Sequence, residues 1–552
     1  MLYGNFMKMA AVVTTLLIST LSWAEESPLT SAESSDFSAT SRYADVMTFI
    51  HDLQRQSGLL RVETLGISPE GKPIPLLVIG DPVPSSPADL ARDDRAVVYF
   101  QANIHAGEVE GKEAALMLAR SLVLDKSPDI LDRLVVLIAP IFNADGNDKI
   151  SPNNRPSQNG PAEGVGIRFN GLNQDLNRDG MKLESPEVRG MVQNVLNRWD
   201  PVFFLDAHTH NGSYHEEPVT WVWGLNPMGD SALFDYMQNT VWPGIEKRMR
   251  KDFDTLTIPH GDFLDPKEPG KGWIPLGPEP RYLSNYVGLR NRLAVLDEQY
   301  PYVDFQTRVQ GSYNLMISFL DLLYDQRDGI VQLVKEADRR TVERGLNPLP
   351  DDVFIIEHDR QALKQLLTIH GYEMEVEGEG RYARVHPTEI TRTYKDIPYL
   401  AKYTAKQAVQ FPRGYLISVD DPKIIDKLHD HGIVVERLVE PAQLSVEVFT
   451  ATKLTGSGRS MQGHYTSKVE GQATQEIRDF RAGTYYIRTA QPLANVAGYL
   501  LEPQSDDGLV FWNYFDRYLA FQWWPEPKEY PVYKVYASVR LVTETVVHKQ
   551  QN

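Results

Sequence analysis

The stretch "NIHAGEVEGKE" sets His105 and Glu108 three residues apart, directly after the apolar run "AVVYF" from Ala96 to Phe100. An imidazole at the end of a strand and a carboxylate at the start of the next helix can converge on one ion. A catalytic zinc site takes three nitrogen or oxygen ligands and leaves a fourth position for water, so this pair needs a partner. Alone it fits a polar strand-to-helix turn better. A candidate partner stands in "FFLDAHTHNG", where the apolar strand from Val202 ends in Asp206, His208 and His210. Residues two apart on a strand share a face, so these three side chains point the same way.

The elements that must hold these groups follow from periodicity. Between 43 and 325, apolar strand-like runs ("RAVVYFQA", "RLVVLIAP", "PVFFLDA", "RLAVLDE") alternate with helical stretches ("GKEAALMLARSLVL", "SPEVRGMVQNVLNRW", "GSYNLMISFLDLLYDQ"). This predicts an α/β fold, a central sheet flanked by helices, with its site at strand ends. Structure is expected from residue 41, after a lead-in at 25–40 too polar to pack, and the first domain closes at 345. "LNPLPDD" marks the boundary. A small α/β region over 346–440 follows, with two similar strand-helix-strand units, "DVFIIEHDRQALKQLLTIHGYEMEV" and "GYLISVDDPKIIDKLHDHGIVVERL". His370 and His431 precede the glycine that would stop each helix, so they read as helix ends rather than ligands. Short aromatic-rich alternating runs over 441–552 predict a β-rich C-terminal domain.

Several motifs together carry a family resemblance. "HAGE", "NADG" (Asn143 to Gly146), "DLNRD", "DAHTH" and "LDEQY" occur in the order and spacing of the zinc carboxypeptidases, and residues 41–345 resemble those carboxypeptidase A-like metallopeptidases. The order and spacing of the five together are far more specific than any one motif. A rival, the His-x-His pair of a barrel amidohydrolase, would place His208 and His210 on a first strand, whereas they lie mid-chain. The resemblance implies a mixed sheet and one Zn2+ per chain, held by His105, Glu108 and His208, with His210 left over either behind the ligands or at the rim. It implies that Asp175 orients His105, and that Asn177 and Arg178 grip a substrate carboxylate, for which a guanidinium fork is the natural partner. An oxyanion-stabilising arginine is expected at Arg155 or Arg168. Arg155 is preferred, because it follows "NADG" in a Pro/Asn/Gly loop that could wrap the site. A mobile tyrosine is expected at Tyr282 or Tyr286, beside Arg281. Adjacent strand residues face opposite ways, so one of Asp297 and Glu298 can face the metal. Periodicity leaves both open; the resemblance selects Glu298 as general base, since "EQYPYVDFQTRV" places Arg308 ten residues on.

A net charge of −18 disfavours nucleic acid, because no basic excess is present to displace counterions. Residues 1–24, from Lys8 through "AAVVTTLLISTLSW" to Ala24, read as a signal peptide, predicting export to a bacterial periplasm or medium and no stable membrane insertion after cleavage. The absence of cysteine leaves stability to the core and a metal. The expected activity is removal of a residue from the C-terminus of a peptide. Two alternatives remain: a zinc deacylase or cell-wall peptide amidase acting on an N-acyl amino acid or muropeptide with a free carboxylate, and a catalytically silent binding protein.

Overall fold

The computed structural model describes residues 26–125, 128–210, 212–378, 384–520 and 526–547; the expected signal peptide lies outside the described residues. The first sheet is built from β1 (Leu60–Ile67), β2 (Pro73–Ile79), β3 (Ala96–Ala102), β4 (Leu134–Ala139), β5 (Phe203–Thr209), β6 (Val219–Trp223) and β7 (Thr257–Pro259). A short hairpin of β8 (Asp262–Phe263) and β9 (Trp273–Ile274) intervenes before its last strand, β10 (Leu293–Gln299). The strand order is β1-β2-β4-β3-β5-β10-β6-β7. β3, β4, β5 and β10 run parallel, while β1–β2, β2–β4 and β10–β6 are antiparallel, so the sheet is mixed as expected. The chain moves outward from β3 to β4, then returns to place β5 on the other side of β3. At such a reversal the strand ends splay open and a crevice forms.

Both faces of the sheet are covered. Val98 and Phe100 of β3 enter one core with helix Glu110–Leu124 and the long helix Phe305–Leu346, while Val97 and Tyr99 enter the other with Val188 and Tyr286. Burial on both sides explains why these strands read as unbroken apolar runs. Gly111 sets the closeness of the first helix to the sheet, since a Cβ there would lie 2.5 Å from the Cβ of Ala207.

Beyond residue 346 the structure departs from the expected pattern. The region holds β11 (Val353–Gln361), β12 (Leu366–Glu377), β13 (Arg384–Pro398) and β14 (Lys402–Gln410), paired as β11–β14 and β12–β13. The first expected strand-helix-strand unit is therefore two strands joined by a short bend at 362–365, without a helix. Its "RQALKQLL" has helical composition, but long-range pairing overrides a weak local preference. His370 lies in β12, where its backbone N–H and Nδ1 both meet Glu217 Oε1 at 2.8 Å. The second unit forms: β15 (Gly414–Ile417), helix Pro422–Asp430 and β16 (Glu436–Leu438), with His431 as the C-cap and Gly432 at φ +85°.

The boundary expected at 441 cuts through a sheet. β17 (Ala442–Gly456), β18 (Ser467–Phe480), β19 (Tyr485–Arg488), β20 (Lys528–Glu529), β21 (Val532–Val535) and β22 (Thr543–Thr545) share it with β15 and β16, in the order β18-β17-β21-β15-β19-β16-β22, with β20 on β17. The lead-in is also ordered over residues 26–40. Its polar groups meet specific partners: Thr30 and Glu33 form a capping box, Glu33 takes both Arg120 Nη atoms at 2.7 Å, and Phe37 packs edge-on against Phe305. Among the described residues no helix is long and apolar enough to cross a membrane.

Candidate active site

Asn103 ends β3 in the left-handed conformation, φ +64°, and turns the chain into the segment that carries His105 and Glu108. Glu108 N–H donates to His105 carbonyl at 2.8 Å, closing a turn that folds both side chains to one side. β5 runs parallel beside β3, and His208 near its end completes the group. The ligand atoms of His105, Glu108 and His208 all lie within 4.8 Å of one another, and all three residues are buried.

The hydrogen bonds assign the histidine tautomers. His105 Nε2 lies 3.0 Å from Asp175 Oδ1, and His208 Nε2 lies 2.9 Å from Asp206 Oδ2. A carboxylate accepts, so each Nε2 donates to the carboxylate behind it and each ring turns its Nδ1 inward, the nitrogen a cation would take in place of a proton. The two Nδ1 atoms face each other at 3.2 Å, and each lies 3.1 Å from a Glu108 oxygen. Lone pairs and a carboxylate directed at one point form a donor set for a borderline divalent cation. Burial opposes charge on His208, yet Asp206 and Glu108 hold its pKa well above the usual imidazole value. Burial likewise works against Glu108 and Asp175, but the charges of His105 and the neighbouring arginines hold both carboxyls well below their ordinary range.

Arg155 and Arg168 both reach Glu108, from two loop positions. Arg155 Nη2 donates to Glu108 Oε1 at 2.7 Å and to Thr209 carbonyl at 3.1 Å. Arg168 donates through Nε to Asp175 Oδ2 at 2.8 Å, and its Nη1 lies 3.7 Å from Glu108. With its side chain 31% exposed against 13% for Arg155, Arg168 is the more open of the two. Arg178 lies over the Tyr282 ring at 4.5 Å, and Asn177 Oδ1 accepts Leu283 N–H at 2.9 Å.

Tyr286 is not in the site. It is fully buried in the second core, its Oη 2.7 Å from His431 Nδ1, because the helix Leu283–Leu289 turns that side chain inward while Tyr282 caps the helix start. On β10 the two acids part as strand geometry requires. Asp297 faces the long helix and accepts from Ser312 Oγ at 2.7 Å, whereas Glu298 pairs with His208 in register and keeps Oε2 without a hydrogen-bond partner. Burial pushes the Glu298 carboxyl up to about 8, with His208 opposing and Glu108 and Asp297 adding.

Two groups beside the triad carried no assigned role in the sequence. Asp206 was visible as the residue two before His208 on one strand face. The other is an aromatic box, in which the His210 ring stacks on His215 at 5.4 Å and meets His260 edge-on at 5.2 Å, with Tyr300 beside both His210 and His215. His210 is buried in this box, so of its two expected places the rim is excluded.

With this geometry in place, the comparisons with known proteins can be stated. Residues 46–213 match the family model for zinc carboxypeptidases. This part of the chain is similar to the zinc carboxypeptidases. Carboxypeptidase 2 of Trichophyton rubrum is 22% identical over 501 residues, covering 86% of this chain and 85% of its own. Carboxypeptidase A6 of Mus musculus is 31% identical over a shorter stretch of 108 residues, 18% of this chain and 23% of its own. Among solved structures, the carboxypeptidase A of Helicoverpa armigera aligns with a TM-score of 0.39 at 17% identity, covering 55% of this chain and 74% of its own. The resemblance read from the five motifs and these matches agree on a metallopeptidase of the zinc carboxypeptidase type.

Proposed function

We propose that the chain is a zinc-dependent carboxypeptidase that hydrolyses the C-terminal peptide bond of peptides, with one Zn2+ held by His105, Glu108 and His208. The observation that carries the reading is the pair of Nδ1 atoms turned toward each other and toward Glu108, each ring aimed by a carboxylate behind it. Bound there, zinc supplies a Lewis acid that polarises the scissile carbonyl and acidifies a water.

The chain's own residues do the rest. Glu298, lying across from His208, takes the water's proton on its unpaired Oε2 and returns it to the departing amine. A carboxyl raised toward neutrality suits a group that must both accept and release a proton. Arg168 offers its Nη groups to the developing oxyanion, while Arg155, engaged by Glu108 and Thr209, steadies the metal ligand. Arg178 and Asn177 hold the substrate's terminal carboxylate, with Tyr282 forming the floor under the guanidinium. Relatives named as carboxypeptidases support peptides as substrates, and no comparison supports an N-acyl amino acid. The leader-like segment at 1–24 supports export to the periplasm or medium.

Incubating the purified protein with peptides that have free or amidated C-termini tests the reading. Release of terminal residues from the free acids alone is expected. Equal turnover of both would remove the carboxylate requirement and with it the exopeptidase assignment.

A further inference from the structure

The tip of the β17–β18 hairpin, in the C-terminal sheet, reaches back to the segment that carries Asn177 and Arg178. Gln462 Oε1 accepts the backbone N–H of Asp175 at 3.0 Å. Met461 Sδ lies 3.6 Å from Arg281 Nη1, next to Tyr282. His464 ties the base of the tip down, with Nε2 at 2.9 Å from Glu184 Oε2 and Nδ1 at 3.1 Å from Asn513 Oδ1. The tip therefore touches the chain on both sides of Arg178: at Asp175 before it, and at Arg281, beside the tyrosine that underlies the guanidinium.

The turn itself is unusual for its sequence. Met461 and His464 exchange two backbone hydrogen bonds, at 2.8 and 3.0 Å, and the two residues between them, Gln462 and Gly463, have φ of +53° and +85°. A two-residue turn with both central residues at positive φ is built for Asn-Gly or Gly-Gly. Gln at the first position is held in a left-handed conformation that its longer side chain does nothing to support locally. What the side chain does instead is long range. Its oxygen is fixed by Asp175, and fixing one end of a planar amide fixes the other. The Nε2 group has no hydrogen-bond partner among the described residues and belongs to the amide that meets Asp175, three residues before Arg178.

We propose that Gln462 is a substrate-binding residue supplied by the C-terminal domain: its Nε2 donates a hydrogen bond to the terminal carboxylate held by Arg178. This rests on the carboxypeptidase reading and adds to it a donor from outside the matched catalytic region. Arg178 brings charge and one face of the carboxylate; Gln462 brings a neutral donor on the side where the hairpin meets Asp175. The hairpin thereby discriminates a free C-terminus from an internal stretch of peptide.

The test uses the full-length zinc-loaded protein in a Glu298→Gln background, which stops turnover and allows equilibrium titration. A short peptide and its C-terminal amide are titrated calorimetrically into this protein and into versions that also carry Gln462→Gly or Gln462→Asn. Both substitutions suit a positive-φ turn better than Gln does, which offsets the lost bond to Asp175, so melting temperature and zinc content should be kept. Loss of one hydrogen bond should raise the Kd of the free acid about 5- to 10-fold and leave that of the amide unchanged. An unchanged Kd for the acid would overturn the proposal. So would an equal loss for acid and amide, or a loss accompanied by a lower melting temperature and lost zinc, since these mark a purely structural tie. Arg178→Ala separates the two levels. A preference for acid over amide that is undiminished by that change sinks the carboxypeptidase reading itself, whereas one that falls sharply at Arg178 and is untouched at Gln462 sinks only the role of the hairpin.

Discussion

Asp206 Oδ2 lies 2.9 Å from His208 Nε2, two residues away on the same strand, so β5 carries both an inward-facing nitrogen and the carboxylate that aims it. His105 is served the same way by Asp175, across a gap of 70 residues. The two arrangements are equivalent in chemistry and differ in what holds them. One is fixed by strand periodicity, the other by a loop.

Metal analysis should find about one zinc per chain, and His105→Ala or His208→Ala should lose it. Asp206→Asn keeps the size of the side chain and removes the charge behind His208. Competition with a chelator should show zinc affinity weakened roughly 10- to 100-fold with the fold intact. Wild-type affinity in Asp206→Asn would mean that His208 is oriented by packing alone.

Glu298→Gln should retain zinc and lower kcat by about 100-fold or more, the usual worth of general acid–base catalysis. Asp297→Asn should leave kcat within a few-fold, because Asp297 faces Ser312 and Gln299 Nε2, not the triad. Steady-state kinetics on a single free-acid peptide decides it. The reverse ranking would place the wrong acid beside His208.

Glu187 gives a stability test away from the catalytic groups. It is almost fully buried near the start of the helix Pro186–Met191, and burial pushes its carboxyl up to about 7, with the hydrogen bonds from Asn170 Nδ2 only partly opposing. Because the folded pKa exceeds the unfolded one, the unfolded chain gives up this proton first as pH rises. The folded state is thus unpenalised below about pH 4.5 and loses stability until about pH 7, by about 3 kcal/mol at most. Glu187→Gln should melt a few degrees above wild type at pH 8, and the gap should close at pH 5. Melting curves at the two values check this; a constant gap would assign the gain to something other than ionisation.

The parts of the site legible in the sequence were those set by local geometry. His105 and Glu108 share one turn, and Asp206 and His208 share one strand face, so spacing alone puts each pair together. The split between Asp297 and Glu298 follows from strand alternation too, although which acid faces inward needed the neighbouring strands. What sequence could not supply was pairing at a distance. Tyr282 and Tyr286 look alike in "EPRYLSNYVG", yet one caps a helix under Arg178 and the other is sealed against His431. The helix expected over "RQALKQLL" failed for the same reason, since β12 gains more from β13 than its residues gain from helical preference. The lead-in looked unfoldable because its polar side chains were judged without Arg120 and Glu113, the partners that satisfy them.

The bond between Gln462 and Asp175 joins residues 287 positions apart. A ribosome makes the two ends of that bond at different times: when the zinc ligands have already emerged, the residue that completes the carboxylate pocket is still to be synthesised. A partly made or prematurely cleaved chain would hold the reactive centre without its full means of gripping a peptide end.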